Sequence, residues 1–112
     1  MTVTSLDDLK ILQLVDQTSD EVWSILKTWD SFARRSIGIQ WVRSVDSIGA
    51  NIAEAYGRYH YGEKIQFRYY ARGSVFESKY WLNRSLSREL INEKTGSDLH
   101  RRRNYLFRFN LQ

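Results

Sequence analysis

The stretch IGIQWVRSVDSIGANIAEA, residues 37–55, decides the fold. Within it Ile37, Trp41, Val45, Ile48, Ile52 and Ala55 recur at intervals of 4, 4, 3, 4 and 3. That spacing is close to the 3.5-residue period with which a helix turns one apolar seam toward its neighbours in a bundle. Gly49, Ala50 and Ala53 lie around the seam, where small side chains let another helix approach closely, at a cost in helix propensity for the glycine. Gly57 is the expected stop, and Gly62 marks the end of the turn that follows.

Upstream, a helix is expected to begin at Ser5, with Asp7 and Asp8 set favourably against its dipole. Leu6, Leu9, Leu12 and Val15 recur at helical spacing, and Val22, Ile25, Leu26 and Trp29 continue it. Either one helix carries both sets, or Thr18-Ser19-Asp20 restarts a second, since these residues favour caps over interiors. Asp30-Ser31 is the next punctuation mark.

Downstream, a third helix is predicted from about Glu63 to about Asn92. Ile65, Tyr69, Phe76, Tyr80 and Asn83 share one face, Phe67, Tyr70 and Trp81 point to the opposite side, and Val75 and Leu82 fill a flank. A helix apolar around most of its circumference has to be covered on most of it. Three companion helices cover one broad face, so the remainder implies burial by another subunit. Thr95-Gly96-Ser97-Asp98 is read as a turn and cap, with a last helix from about Leu99 whose inward row is Leu99, Leu106 and Phe109 or Asn110. The expected fold is all-α, an up-and-down antiparallel four-helix bundle forming one domain over residues 1–112.

Composition narrows the function. The chain has 112 residues with no cysteine and no proline, so it offers no thiolate ligand, no disulfide framework and no proline breaks in its helices. No apolar run approaches the ~20 residues of a membrane-spanning helix, and the start lacks the layout of a secretory signal, which predicts a cytoplasmic protein. Residues 1–56 carry 5 Lys/Arg against 8 Asp/Glu, whereas residues 57–112 carry 12 against 5. A mildly acidic half followed by a clearly basic one suggests a polar assembly or an acidic partner.

The long ordered segment from Trp41 to Leu82 contains Ser47-Ile48, then Asn51-Ile52-Ala53-Glu54 and Arg58, then Phe67 and Ala71-Arg72-Gly73-Ser74 with Glu77. On these residues it resembles the bacterial four-helix bundle proteins of the ribosomal-RNA intervening-sequence family. Ala55 stands where that family commonly has glycine, and the fourth helix is short. The resemblance implies a bundle that assembles as a ring, usually a pentamer, with no assigned catalytic residues. It extends to the accessory variability protein of diversity-generating retroelements, a basic pentamer that binds RNA and a reverse transcriptase.

Two sets of residues stand out as candidates. Ser47, Asn51, Glu54 and Arg58, spaced 4, 3 and 4, form a polar stripe beside the apolar seam. They are expected to bond across helices or at a subunit interface, with Arg72 and Glu77 as partners. Arg101, Arg102, Arg103 and Arg108 form the densest positive cluster, which Arg84 and Arg88 would widen into a phosphate-binding patch repeated around a ring. Tyr59, Tyr61, Tyr69 and Tyr70 near Arg58 and Arg68 either stack on bases or belong to a core or interface row.

Enzyme chemistry finds little support. His60 and Glu63 have only His100 to complete a metal set, no serine sits in a nucleophile elbow, and no glycine run forms a phosphate loop. Asn83-Arg84-Ser85 matches a glycosylation sequon, without meaning outside secretion. The sequence leads to a non-enzymatic homo-oligomer with no cofactor or metal. It would bind structured RNA or DNA through basic surfaces, together with a protein partner such as a reverse transcriptase. The alternative is a structural or protein-interaction scaffold with no nucleic-acid role.

Overall fold

Asp30 opens the central helix of the bundle: its carboxylate accepts a 2.8 Å hydrogen bond from the Ala33 N–H, satisfying a donor that the first turn leaves free. The computed structural model describes residues 5–107, with side chains described for residues 9–101. Its elements are α1 (Ser5–Leu26), a short α2 (Ser31–Ala33), α3 (Ile39–Gly57), α4 (Tyr61–Ser87) and α5 (Glu93–Phe107). Between α2 and α3, Arg34–Gly38 forms one π-helical turn, in which the Ile39 N–H reaches back to the Arg34 carbonyl. The helical path is thus continuous from Ser31 to Gly57, with a single widened turn that places Ile37 and Gly38 inward. No strand occurs among the described residues.

The chain direction follows from the contacts between helices. Ser19 lies against Val45, Ser47 against Ser74, and Asn83 against His100, so α1, α3, α4 and α5 run alternately up and down. Helix α3 packs between α1 and α4, and α5 closes the square by packing on both α4 and α1. The long axis is 44 Å, close to the ~40 Å that the 27 residues of α4 span at 1.5 Å each.

All six seam residues of the central helical path, Ile37 in the π turn and Trp41, Val45, Ile48, Ile52 and Ala55 in α3, are buried. Trp41 is 1% exposed and stacks on Trp29 with ring centroids 5.9 Å apart. The Trp29 indole N–H donates to the Leu90 carbonyl at 3.1 Å, tying the α1–α2 turn to the α4–α5 turn. In α1 the helix is unbroken through Thr18-Ser19-Asp20, because the Thr18 hydroxyl returns to the Leu14 carbonyl at 3.0 Å instead of capping a new start. Its buried row is Ile11, Val15, Val22 and Leu26, while Leu9, expected in the seam, is exposed.

Helix α4 departs most from the expected packing. The row Ile65, Tyr69, Phe76, Tyr80 and Asn83 does not enter the core: Tyr69, Phe76, Tyr80 and Asn83 are exposed and Ile65 is half-buried. Arg68, Ala71, Val75, Leu82 and Ser85 face inward instead. Ala71 and Ser85 are fully buried, so the close approach to neighbouring helices uses small residues and turns the bulky rings outward. Val75 and Leu82, expected on a flank, are core residues.

The end of α4 and the start of α5 also differ from the sequence reading. Helix α4 stops at Ser87, five residues before Asn92. The Leu90 N–H bonds to the Ser85 carbonyl at 2.8 Å and the Glu89 N–H to that of Leu86 at 3.0 Å, a Schellman ending with Glu89 in the left-handed region at φ 59°. Asn92 then caps α5 by accepting the Thr95 N–H at 2.8 Å, so Thr95-Gly96-Ser97-Asp98 lies inside the helix. Gly96 is there for proximity, since a Cβ at that position would fall 2.7 Å from Leu86 Cδ2. Leu99 is buried as expected, while Leu106, Phe109 and Asn110 lie outside the described side chains.

The left-handed residue gives a stability prediction. Glu89→Gly removes the steric cost of a side chain at positive φ and should stabilise the fold by about 1 kcal/mol. Chemical denaturation should show the midpoint rising with an unchanged slope.

Candidate functional site

The α3–α4 hairpin brings the two halves of the polar signature together. The Asn51 side-chain N–H₂ donates to the Ser47 carbonyl at 2.8 Å and to the Ser47 hydroxyl at 3.1 Å. The Ser47 and Ser74 hydroxyls hydrogen-bond each other across the helices at 3.0 Å, and Ser74 also reaches the Tyr70 carbonyl at 3.1 Å. This contact satisfies polar groups at the helix boundary where no side-chain charge is needed. Ser74 was legible only as one of four residues in a run; its role needed the register of α4 against α3.

Arg58 anchors the tip of the hairpin. It leaves the helix in an extended conformation, and its guanidinium pairs with Glu54 at 3.1 Å and with Glu63 at 3.4 Å. The same group lies 4.6 Å from the Phe67 ring centroid. Lys64 Nζ completes the clasp by donating to the Ala55 and Tyr56 carbonyls at 3.3 and 3.2 Å, where the α3 dipole favours a cation. The Glu54–Arg58 pair spans one turn at the end of α3. Its cross-helix partner is Glu63.

Arg72 and Glu77 are placed elsewhere. Arg72 lies over the Phe76 ring at 5.5 Å, and Glu77 accepts from the Trp81 indole N–H at 3.4 Å, so both serve α4 itself. Tyr59 and Tyr61 are exposed at the hairpin tip, Tyr59 edge-on to His60 at 5.1 Å. Tyr69 and Tyr70 are exposed further along α4.

Several of the described basic residues lie along the α4–α5 pair. His100 of α5 meets Asn83 of α4 at 3.0 Å, which sets Arg101 and Arg84, their chain neighbours, on adjoining helices. Arg88 is exposed at the C-terminal cap of α4, and Arg101 is largely exposed while paired with Asp98. The backbones of Arg102 and Arg103 continue α5, but their side chains, like all of Arg108, lie outside the described residues.

An acidic face lies on the opposite side of α3. Asp16, Ser19 and Asp20 of α1 and Asp46 of α3 rim a shallow groove with Gly49, Ala50 and Ala53 in its wall. The groove continues past Glu54 to Gly57 and Arg58. Partial desolvation pushes the Asp46 carboxyl above the usual carboxylate range; a hydrogen bond with Ser19 opposes the rise, and the charges of Asp20 and Asp16 add to it. Among the described residues, no group of three or more His, Cys, Asp or Glu is arranged to hold a metal ion, and no helix is long and apolar enough to cross a membrane.

Comparison with known proteins places this bundle. No curated protein matches the chain. A crystal structure of a protein of unknown function from the S23 ribosomal protein family, from Bacteroides thetaiotaomicron, superposes with a TM-score of 0.81. The alignment covers 92% of this chain and 93% of that one at 20% identity, a likeness of fold. The family model for the 23S rRNA-intervening sequence protein matches residues 7–108, nearly the whole sequence. The chain belongs to the 23S rRNA-intervening sequence protein family.

Proposed function

We propose that this protein is a non-enzymatic, cytoplasmic homo-oligomeric module that binds structured RNA or DNA through basic surfaces, acting with a protein partner such as a reverse transcriptase. The observation that carries this reading is that Arg84 and Arg101 each follow one member of the Asn83–His100 contact between α4 and α5, with Arg88 at the end of α4 and Arg102 and Arg103 next in α5. Such a surface supplies phosphate affinity without a base code. Repetition around a ring, the pentamer that the family resemblance implies, would multiply a weak contact by avidity. The family's name points toward RNA.

The test is affinity for hairpin RNA, duplex DNA and single strands across an ionic-strength series. A steep loss of affinity with salt is expected for hairpin RNA or duplex DNA, whereas no binding at low salt would refute the nucleic-acid role. The competing reading, a protein-interaction scaffold, draws on the exposed rings of Tyr69, Phe76 and Tyr80, which suit an apolar protein contact better than a phosphate backbone.

A further inference from the structure

We propose that the outer ridge of α4 docks into the acidic α1–α3 groove of a second copy of this chain, which makes subunit assembly head-to-tail. The inference rests on the homo-oligomer proposed above and specifies which two faces meet. The ridge is formed by Tyr69, Phe76 and Tyr80, which are 59%, 49% and 56% exposed. Gly73 stands in the middle of the ridge, where an added Cβ would meet nothing within 4 Å. An aromatic row of this kind on a small bundle is a contact surface in want of cover.

The groove matches the ridge in shape, length and charge. Ala50 and Ala53 give it a small-residue floor that leaves room for rings. It runs along α3 from Asp46 to Gly57, and the ridge runs from Tyr69 to Tyr80; at 1.5 Å per residue each is about 16 Å long. The rim carries Asp16, Asp20 and Asp46, and Asp16 and Asp20 make no ion pair among the described residues. Beside the ridge, neither Arg72 nor Lys79 pairs with a carboxylate among the described residues, where the buried Nε of Arg72 also finds no hydrogen-bond acceptor.

Geometry then dictates the mode of assembly. Helix α4 sits diagonally across the bundle from α1, so ridge and groove are different patches on different sides of one subunit. A contact between two different patches cannot close as a two-fold dimer; it closes as a ring or propagates. Complementary charge fixes the register and suppresses like-to-like pairing.

Charge exchange tests this directly. One variant carries Asp16→Arg and Asp20→Arg in the groove, and another carries Arg72→Glu and Lys79→Glu beside the ridge. Light scattering should show each alone as the 13.3 kDa monomer, and a chain carrying all four substitutions, in which every contact again pairs opposite charges, should recover the wild-type assembly size. Circular dichroism checks that each remains helical; Tyr80→Glu, on an exposed ring, is the second ridge variant and should also yield monomer. An oligomeric wild type whose groove variant assembles normally, or a four-substitution chain that is helical yet stays monomeric, would overturn the proposed contact. A monomeric wild type would instead overturn the homo-oligomer on which it rests.

Discussion

Trp41→Ala should destabilise the fold by about 3–5 kcal/mol, the range for removing a fully buried aromatic side chain. Trp41 is 1% exposed at the middle of the α3 seam, and its ring stacks on Trp29. Losing it therefore leaves a cavity and also frees Trp29, whose indole holds the α4–α5 turn through the Leu90 carbonyl. Two of the three inter-helix turns are affected at once. A chain of this length has a total stability of roughly 6–17 kcal/mol, so the loss is a large share of it. Thermal melting followed by circular dichroism should show a fall of about 15 °C or more. Trp23→Ala is the matched control, because Trp23 is 59% exposed on α1 and its loss opens no cavity. Its expected cost is below about 1 kcal/mol.

Replacing Arg101, Arg102 and Arg103 together by alanine should weaken binding to hairpin RNA by at least about tenfold at low salt. Successive helix positions are separated by about 100°, so a single phosphate strand can meet at most about two of the three in each subunit. The dependence of log affinity on log salt should accordingly flatten by about two for every engaged subunit. Adding Arg84→Ala and Arg88→Ala should flatten it further if the phosphate path crosses from α5 to α4. Lys10→Ala, on the exposed face of α1, should leave both affinity and slope unchanged.

The central helix was the most readable part of the sequence, because one residue set met two requirements together. The 4-3 spacing from Ile37 to Ala55 specified a seam, and every one of those residues is buried. Asp30 was legible as a break between helices, and its role as a cap acts over only three residues, within the reach of local sequence. That the sequence leaves the inward face of α4 open has a physical origin. Rings occur on nearly all sides of that helix, so apolar content could not choose a direction. The choice was made by close packing, which favoured Ala71 and Ser85 inward and expelled Tyr69, Phe76 and Tyr80. Gly96 misled for a related reason: in sequence it marks a turn, whereas here it creates space for Leu86.

The candidate basic surface was legible as charge but not as geometry. Which arginines adjoin depends on the antiparallel register of α4 and α5, revealed by Asn83 meeting His100. In the polar stripe, Ser74 and Glu63 supply the partners on α4 that the sequence assigned to Arg72 and Glu77.

Everything proposed for this chain depends on its being a subunit. The most direct measurement is the absolute mass of the wild-type protein in solution by light scattering at physiological salt. The prediction is a discrete assembly several times the 13.3 kDa chain mass, a pentamer on the family resemblance. A homogeneous 13.3 kDa monomer would contradict it, leaving the α4 ridge without a second copy to cover it.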